Sequence, residues 1–378
     1  MINLPEEIQI LKDTVRRFID HEVEPFSAQI EEEEEIPAVL VEKVKELGLF
    51  GLTTPVEYGG SGVGPLGYAV VREEVARTNM GFGSLFLVNN GIGSKGIQLE
   101  GTKEQKQKYL PSIASGEKFA CFALTEAGAG SDAGAIQTTA VPDGDDYILN
   151  GRKMFITNGP IADYITVMAV TDPQKRARGG ITAFVVEKGT PGLTQGKAEK
   201  KMGWHGSPTS DLIFDECRVP AANVLGRVGY GFSIAMKTLA FGRLGVAATS
   251  LGAAQKAFEM SCQYAKERVA FGKTIGNYQF IQGMIADMAT EISAARLMVY
   301  NCAMNMEAGH TSDVEASMAK LFATEVAGRA VDANVQIHGG MGYMNELAAE
   351  RLFRDTRLLR IVEGTSEIQR IVIARSFL

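Results

Sequence analysis

The chain has 378 residues, of which 45% are hydrophobic and 22% charged, and its formal net charge at pH 7 is -7. This length exceeds that of most single domains and predicts two or three domains with a sizeable core. The negative balance, in which the acidic run Glu31–Glu35 is the longest of one sign, excludes nucleic acid as the main partner and leaves room only for a local basic site.

The cysteines and histidines form no recognisable cluster. The four cysteines show no Cys-x-x-Cys spacing and the four histidines are dispersed, so we expect neither a metal site nor a disulfide framework. The N-terminus carries no signal peptide pattern and no apolar run is long enough to cross a membrane. We therefore expect a cytoplasmic protein of a bacterium or archaeon without membrane insertion, and a mature mitochondrial matrix form stays open.

Residues 1–117 carry helical periodicity throughout. A first helix follows Pro5, with Ile8, Leu11 and Val15 on one face. A second begins at Pro37 and ends at Gly48. Three further helical patterns follow at Gly67–Thr78, Ser84–Gly101 and Lys103–Tyr109. This part of the chain is predicted to be an N-terminal helical domain.

Residues 118–226 read as short strands separated by turn residues. The predicted strands are Phe119–Leu124, Ile136–Val141, Tyr147–Asn150, Lys153–Thr157, Tyr164–Thr171, Ile181–Glu187 and Ser210–Asp215. Because no helices lie between them, we expect a β-sandwich or small barrel and not a parallel sheet.

Long helical patterns return in residues 227–378. They cover Phe232–Lys266, Asn277–Ala308, Val314–His338 and Glu346–Leu359, and a last helix follows. Their heptad-like apolar spacing predicts a C-terminal four-helix bundle. The fold class predicted is therefore a multidomain α+β protein in which a middle β domain lies between two helical domains.

Glu363 stands on a short connector before the last helix. Gly364 permits an unusual backbone angle, and Thr365 is a suitable N-cap for the apolar pattern that resumes at Ile368. A carboxylate buried beside apolar neighbours has a raised pKa and is a usable base. Negative charge also favours a helix N-terminus, so the residues alone leave both interpretations open.

The loop Leu124–Gly134 carries three glycines, and it is the loop that best suits a chemical role. Gly128-x-Gly130 after a strand suggests a dinucleotide fingerprint, but that fingerprint requires a following helix. Ile136–Val141 favours a strand instead, so we reject the Rossmann interpretation. The glycines and Ser131 still allow backbone donors close to a cofactor.

Several motifs resemble those of the acyl-CoA dehydrogenase family across essentially the whole chain. They are Leu124-Thr-Glu-Ala-Gly-Ala-Gly-Ser-Asp132, Lys153-Met-Phe-Ile-Thr-Asn158, Arg268-Val-Ala-Phe-Gly-Lys273, Gln336-Ile-His-Gly-Gly-Met-Gly342 and Val362-Glu-Gly-Thr-Ser-Glu367. The helix–strand–helix order is also the layout of that family. Two residues depart from its usual pattern at the substrate, Val362 for tyrosine and Ala240 for aspartate, and they leave the acyl chain undefined.

The resemblance implies roles for individual residues. Glu363 would be the base that removes the α-proton of an acyl-CoA thioester, with Gly364 beside the substrate and Arg243 near the CoA moiety. Gly242 stands where some relatives place the base and has no side chain to act. Trp204 and His205 fit a place near the cofactor or a packed loop.

The same resemblance implies the flavin contacts. Phe155 would cover one face of the FAD ring and Thr157 would bond near its N5, although a buried phenylalanine and threonine in a strand fit the residues as well. Phe122 and Leu124 would line the flavin or form an ordinary strand core, and Arg268 would clamp the pyrophosphate or be a solvated helix-end arginine. The full set implied is Phe122, Leu124, Thr125, Ser131 (also near the pantetheine), Phe155, Thr157, Arg268, Phe271, Gln279, Gln336, Gly339, Gly340, Thr365 and Glu367.

The resemblance finally implies a reaction and partners. The expected activity is α,β-dehydrogenation of an acyl-CoA to a trans-2-enoyl-CoA, with FAD as cofactor and an electron-transfer flavoprotein as acceptor. Arg268 to Gly340 would reach the flavin across a subunit boundary, which implies an oligomer, most often a homotetramer. Alternatives are an acyl-CoA oxidase, an enoyl-CoA reductase or a non-catalytic CoA-binding scaffold.

Overall fold

The computed structural model describes residues 3–310 and 313–378. Its first part is helical: α1 Glu6–Phe18, α2 Ser27–Glu33, α3 Ala38–Glu46, α4 Pro65–Val75, α5 Met80–Val88, α6 Ser94–Glu100 and α7 Lys103–Ala114. Helix α1 follows Pro5 as predicted and buries Val15 and Phe18. The predicted helix Ser84–Gly101 is wrong as one element, because the chain kinks at Gly91 between α5 and α6.

Helix α7 extends beyond its predicted end at Tyr109. Thr102 and Gln105 form a reciprocal capping box at its N-terminus. Pro111 lies inside the helix, and the last turn continues because Leu110 and Ile113 are fully buried. Tertiary packing here outweighs the helix-breaking tendency of proline.

The middle part forms strands β1 Ala120–Ala123, β2 Thr139–Asp143, β3 Asp146–Thr157, β4 Tyr164–Val170, β5 Ile181–Glu187, β6 Leu193–Gln195, β7 Thr209–Pro220 and β8 Val224–Leu225. Among the described residues they hydrogen-bond in the order β6-β7-β3-β2-β4-β5-β8, and β1 pairs with β4. Most pairs are antiparallel, whereas β4 pairs in parallel with both β1 and β2. Side chains on one face of this sheet form an internal core. The other face packs against α6, α7 and α8.

Two strand predictions need correction. The predicted strands Tyr147–Asn150 and Lys153–Thr157 are one strand, β3, whose register against β7 shifts at two irregularities. Strand β2 begins at Thr139 and not at Ile136, because the backbone N–H groups of Gln137 and Thr138 donate to the Glu126 carboxylate.

The last part contains α8 Gly231–Glu267, β9 Val269–Ala270, β10 Lys273–Thr274, α9 Gln279–Glu307, α10 Asp313–His338, α11 Gly340–Tyr343, α12 Ala348–Leu359 and α13 Ser366–Arg375. The turn expected after α8 is a β9–β10 hairpin, in which Phe271 and Gly272 both have positive φ. The long helices share one core with α4. The observed architecture confirms the predicted fold class, while the boundaries at 117 and 226 stay a prediction.

Buried polar contacts fix these parts against one another. Asp355 of α12 accepts the backbone N–H of Trp204 at 2.6 Å and that of Met80 at 3.3 Å. The indole N–H of Trp204 donates to the Asp355 carbonyl oxygen at 2.8 Å. One residue of the bundle thereby holds the start of α5 and a loop of the middle part.

The described residues contain neither a membrane-spanning helix nor a group of metal ligands. Within residues 3–310 and 313–378, none of the helices is both long and apolar enough for a membrane span. In the same residues the side chains of His, Cys, Asp and Glu form no group of three that would hold a metal ion.

Candidate active site

The connector around Glu363 is held by polar contacts to its backbone. Lys320 Nζ and Gln369 Nε2 each donate to the Gly364 carbonyl oxygen at 2.8 Å. Gln369 Nε2 also lies 3.2 Å from the Glu363 carbonyl oxygen. Thr365 caps α13 as predicted and accepts the N–H of Ile368 at 3.3 Å. The connector is therefore fixed at both carbonyls and at the following helix.

The Glu363 side chain is directed onto α8. Its carboxylate lies against Gly242, where any Cβ would overlap Oε2. This oxygen is buried and has no hydrogen-bond partner among the described residues. Burial raises the pKa of Glu363 to about 7, although the nearby charges of Arg72, Lys320 and Arg243 oppose the rise. Such a carboxyl group exchanges a proton readily near neutral pH.

The backbone at Glu363 also offers a donor. The residue adopts φ 55°, followed by φ 92° at Gly364, and its N–H donates to no residue in the described ranges. An unused N–H beside a proton acceptor can stabilise negative charge on a substrate oxygen.

The two segments predicted to bind the flavin ring lie together. Lys153 is fully buried and donates to the Leu124 carbonyl oxygen at 3.1 Å and to Glu126 at 2.7 Å. The N–H of Met154 donates to the Thr125 carbonyl oxygen at 2.8 Å. These contacts connect the glycine-rich loop to β3 at the point where β3 presents Phe155.

Phe155 is unusual for a large aromatic side chain in a strand. It is 65% exposed and has φ 58°, so the backbone turns the ring outward at the irregular part of β3. Thr157 is half-buried and Ser131 exposed, and Gly128 and Gly130 border open space. Phe122 and Leu124 instead pack in the core between the sheet and the helices, and their contact with a flavin stays a prediction.

A second concave surface lies at the far end of α8. A cavity of about 450 Å³ is lined by Arg268, Gly339 and Gly340 together with Tyr264 and His338, whose rings stack at 4.3 Å. Arg268, Gly339 and Gly340 are exposed, and a Cβ at either glycine would meet open space. The structure thus brings the Arg268 motif and the Gly339-Gly340 motif to one site.

Residues beside this cavity are also open to solvent. Phe271 at the hairpin tip is 96% exposed with φ 51°, and Gln279 and Gln336 are exposed. Some 25 residues of α8 separate Gly242 from Glu267, which is about 37 Å of helix at about 1.5 Å per residue. Thr365 and Glu367, which follow Glu363 at Gly242, are therefore distant along α8 from the predicted cofactor residues at the Arg268 cavity.

Three predicted site residues share one backbone feature. Phe155, Phe271 and Glu363 all have positive φ, which is uncommon for residues other than glycine. Such conformations cost about 1–3 kcal/mol each and concentrate at functional sites. The sequence gives no signal for them, because each of these residues ordinarily adopts negative φ.

The other predicted residues near Glu363 differ in their surroundings. Arg243 is buried, and its strongest side-chain contact is a 3.5 Å approach to Ser317 Oγ. Thr365 is half-buried and Glu367 exposed. Trp204 is held by Asp355, and His205 Nδ1 lies 3.1 Å from Glu31 Oε2, so the packed-loop interpretation fits this pair.

The sequence analysis missed several residues that build the site. Arg72, Lys320 and Gln369 surround or support Glu363, and Lys153 and Glu126 join the two flavin segments. A usable signal exists only for Arg72, because it interrupts a helix, Pro65–Val75, whose other positions up to that point are apolar or glycine.

Comparison with known proteins places these features in a family. Family models for the N-terminal, middle and C-terminal domains of acyl-CoA dehydrogenases match residues 5–117, 121–217 and 229–378. An acyl-CoA dehydrogenase of Bacillus subtilis is 44% identical over 100% of this chain and 99% of its own. The fold is thus that of a flavin-dependent oxidoreductase. The chain belongs to the acyl-CoA dehydrogenase family.

Other relatives carry different names. A 3-(aryl)acrylate reductase of Clostridium sporogenes is 46% identical over 99% of both chains. Subunit CarC of the caffeyl-CoA reductase-Etf complex of Acetobacterium woodii is 46% identical over 98% of this chain and 97% of its own. The solved butyryl-CoA dehydrogenase of Megasphaera elsdenii superposes with a TM-score of 0.96 at 39% identity, covering 100% of this chain and 99% of its own.

FAD is the cofactor of this family. A Bacillus anthracis acyl-CoA dehydrogenase solved with FAD is 37% identical with a TM-score of 0.92, and the match covers 99% of this chain and 67% of that one. The residues present here fit that group. Phe155 offers an open aromatic face, the glycine-rich loop leaves space for close approach, and Arg268 supplies a guanidinium beside a cavity.

Proposed function

We propose that the protein interconverts an acyl-CoA thioester and its trans-2-enoyl-CoA, with Glu363 as the residue that moves the α-proton. The observation that carries this proposal is the Glu363 carboxylate, which is buried against Gly242 without a hydrogen bond to Oε2 and has a pKa of about 7. A structural carboxylate of that kind would cost stability with no compensating contact. A base that takes its proton from the substrate needs no hydrogen-bond partner within the protein, which explains the arrangement.

The neighbouring groups support the chemistry of an α-proton. The Glu363 N–H is unused within the described residues, and in our proposal it donates to the thioester oxygen as negative charge develops there. The connector contacts of Lys320 and Gln369 keep this donor and the carboxylate in one orientation. Gly364 then lies beside the substrate and Arg243 near its CoA moiety.

FAD supplies an acceptor for the β-hydrogen and its electron pair when bound. On one protomer, Phe155, Thr157, Thr125 and Ser131 would hold the ring side, with Thr365 and Glu367 near it. The pyrophosphate and adenosine side would meet the second group of residues: Arg268, Phe271, Gln279, Gln336, Gly339 and Gly340.

The distance of about 37 Å along α8 between Gly242 and the Arg268 cavity supports an oligomer. One protomer's ring-side residues would use the Arg268 cavity of a neighbouring protomer, and we infer a homotetramer. Exposed apolar side chains close in sequence to the Arg268 and Gly339-Gly340 motifs support an oligomer, since exposed apolar patches mark interfaces. These side chains include Val269, Phe271, Phe280, Tyr343 and Met344.

We further propose an electron-transfer flavoprotein as the redox partner. The Acetobacterium woodii relative is named as a subunit of a reductase-Etf complex, and it matches this chain over nearly its full length. The alternative acceptor is molecular oxygen, as in an oxidase. Reoxidation of the reduced holoenzyme by air, compared with reoxidation by an electron-transfer flavoprotein, distinguishes them.

The base assignment is tested with Glu363→Gln. We expect this variant to retain FAD and lose anaerobic flavin bleaching by acyl-CoA by ~10³-fold or more. Glu35→Gln, which changes an exposed glutamate far from the site in sequence, is the matched control and should bleach like the wild type. Turnover of Glu363→Gln near the wild-type rate would remove Glu363 as the base, and a colourless wild-type protein would favour a non-catalytic CoA-binding scaffold.

The opposite direction, enoyl-CoA reduction, is the second candidate because the Clostridium sporogenes and Acetobacterium woodii relatives are named as reductases. In that direction Glu363 delivers the proton to Cα. Stopped-flow rates of flavin reduction by acyl-CoA and of reduced-flavin oxidation by enoyl-CoA show which direction the protein favours.

A further inference from the structure

Arg72 of α4 is a buried cation that forms no salt bridge with a carboxylate of the described residues. Arg72 as a whole residue is 8% exposed. Its Nε donates to Thr249 Oγ1 at 3.1 Å and its Nη1 to the Tyr68 hydroxyl at 2.7 Å. Within residues 3–310 and 313–378, no carboxylate oxygen lies within ion-pair distance of it, and Nη2 donates no hydrogen bond.

The adjoining acidic residues of the same helix contrast with this. Glu73 pairs with Arg296 at 2.9 Å and accepts the Tyr300 hydroxyl at 2.6 Å. Glu74 pairs with Arg16 at 2.8 Å. A buried charge costs several kcal/mol unless it is paired, so the chain satisfies its buried acids here and leaves the guanidinium of Arg72 for something else.

The Arg72 guanidinium and the Glu363 carboxylate contact α8 about one helical turn apart, at Gly245 and Gly242. A Cβ at Gly245 would overlap Nη1 of Arg72, just as a Cβ at Gly242 would overlap Oε2 of Glu363. Glycines three residues apart share one helix face and are separated by about 4.5 Å along the axis. The carboxylate and the guanidinium thus occupy adjacent places on α8, close enough that Arg72 is the strongest charge acting on Glu363.

Arg72 lines a small cavity together with Val75, Met80 and Leu87. This cavity measures about 10 Å³, which is room for about one water molecule. An acyl group that extends from Glu363 towards Arg72 would therefore meet the guanidinium after a short chain.

We propose that Arg72 selects short acyl-CoA substrates whose acyl group ends in a carboxylate. This inference rests on the proposed function, since it takes Glu363 as the group at the α-carbon. The free Nη2 and the second N–H of Nη1 form the donor fork that matches a carboxylate. The carboxylate of the substrate supplies the missing counter-charge and takes no part in the reaction. The α-proton goes to Glu363 and the β-hydrogen, with its electron pair, to FAD.

The test compares acyl-CoAs of equal chain length on the FAD-loaded wild-type protein. Succinyl-CoA and glutaryl-CoA are paired with butyryl-CoA and valeryl-CoA, and kcat/KM for flavin bleaching is measured for each. We expect the carboxylated member of at least one pair to be preferred by about 100-fold, since two charge-assisted hydrogen bonds are gained. Arg72→Met should reverse the preference, and Arg72→Lys, which keeps the charge but not the fork, should give an intermediate ratio.

A second readout does not depend on turnover. Glu363→Gln holoenzyme is titrated with succinyl-CoA and with butyryl-CoA, and the change in the flavin spectrum gives each Kd. Combining Glu363→Gln with Arg72→Met should weaken binding of succinyl-CoA and leave that of butyryl-CoA within about threefold, whereas a merely structural Arg72 would weaken both.

The outcomes separate this inference from the proposed function. If the wild type prefers the methyl-terminated member of both pairs, Arg72 is not a carboxylate-binding residue, while Glu363 remains the base. If no acyl-CoA reduces the flavin and no enoyl-CoA oxidises it, both proposals are wrong. The wild-type preference decides the question even if both Arg72 variants fail to fold.

Discussion

The two ends of α8 carry two different kinds of site. At Gly242, a single chain provides the carboxylate, its support and the surrounding cations, and nearly all of these groups are buried. At Arg268, the chain provides an open cavity with exposed aromatic residues around it. The first arrangement suits chemistry that excludes water, and the second suits a surface completed by another molecule. The following predictions test whether the two ends are independent.

The largest effect should follow from Gly242→Ala. An added Cβ would overlap Oε2 of Glu363, so the carboxylate must move away from its place on α8. We expect flavin reduction by acyl-CoA to slow by ~10²-fold or more, because small displacements of a catalytic group are costly, while FAD content stays unchanged. The measurement is single-turnover bleaching. Gly283→Ala adds the same methyl group to a helical glycine of α9 whose Cβ would meet open space, and it is the matched control. A wild-type rate in Gly242→Ala would show that the carboxylate does not react from this place.

Arg268→Ala should have the converse effect at the other end. The loss of its guanidinium would weaken FAD retention by about tenfold, while each subunit that keeps FAD should react at the wild-type rate. The absorbance ratio at 450 and 280 nm after gel filtration reports FAD content. Lys266→Ala, which removes an exposed cation two residues earlier, in the last turn of α8, is the control. Unchanged FAD content in Arg268→Ala would refute the clamp.

The pH dependence reports the buried end alone. Dehydrogenation needs the ionised form of Glu363, so kcat/KM should rise about tenfold per pH unit below the pKa and level off above it. The expected midpoint is the pKa of about 7 that burial produces. In the reductive direction the protonated form is required, and the profile should fall as pH rises. A midpoint near 4.5, the ordinary value, would show that Glu363 is not buried in the free enzyme.

The smallest effect concerns stability. Between pH 4.5 and about 7, folded Glu363 holds a proton that the unfolded chain releases, so its contribution to the free energy of unfolding decreases as pH rises through that window. Glu363→Gln removes this penalty and should gain about 1–3 kcal/mol over the wild type at pH 8 relative to pH 5. Urea unfolding at both pH values measures it, with Glu35→Gln as control. An equal difference at both pH values would contradict the prediction.

Local patterns predicted the order of helices and strands well, because periodicity and turn residues report burial directly. They failed where tertiary contacts decide an element: Pro111 stays inside α7, and the Glu126 carboxylate takes the N–H groups that would have extended β2. At the candidate site the motifs led to Glu363, Phe155 and Arg268. None of the motifs contains Arg72. Its interruption of an apolar helix pattern marks the position, but its contacts with Tyr68 and Thr249 become visible only in the fold.

The length of α8 has a consequence for oligomers assembled from two different variant chains. If each reaction centre takes its base from one protomer and its pyrophosphate clamp from another, two defects can be carried by separate protomers. Chains with Glu363→Gln and chains with Arg268→Ala, refolded together, would then regain centres that contain neither lesion.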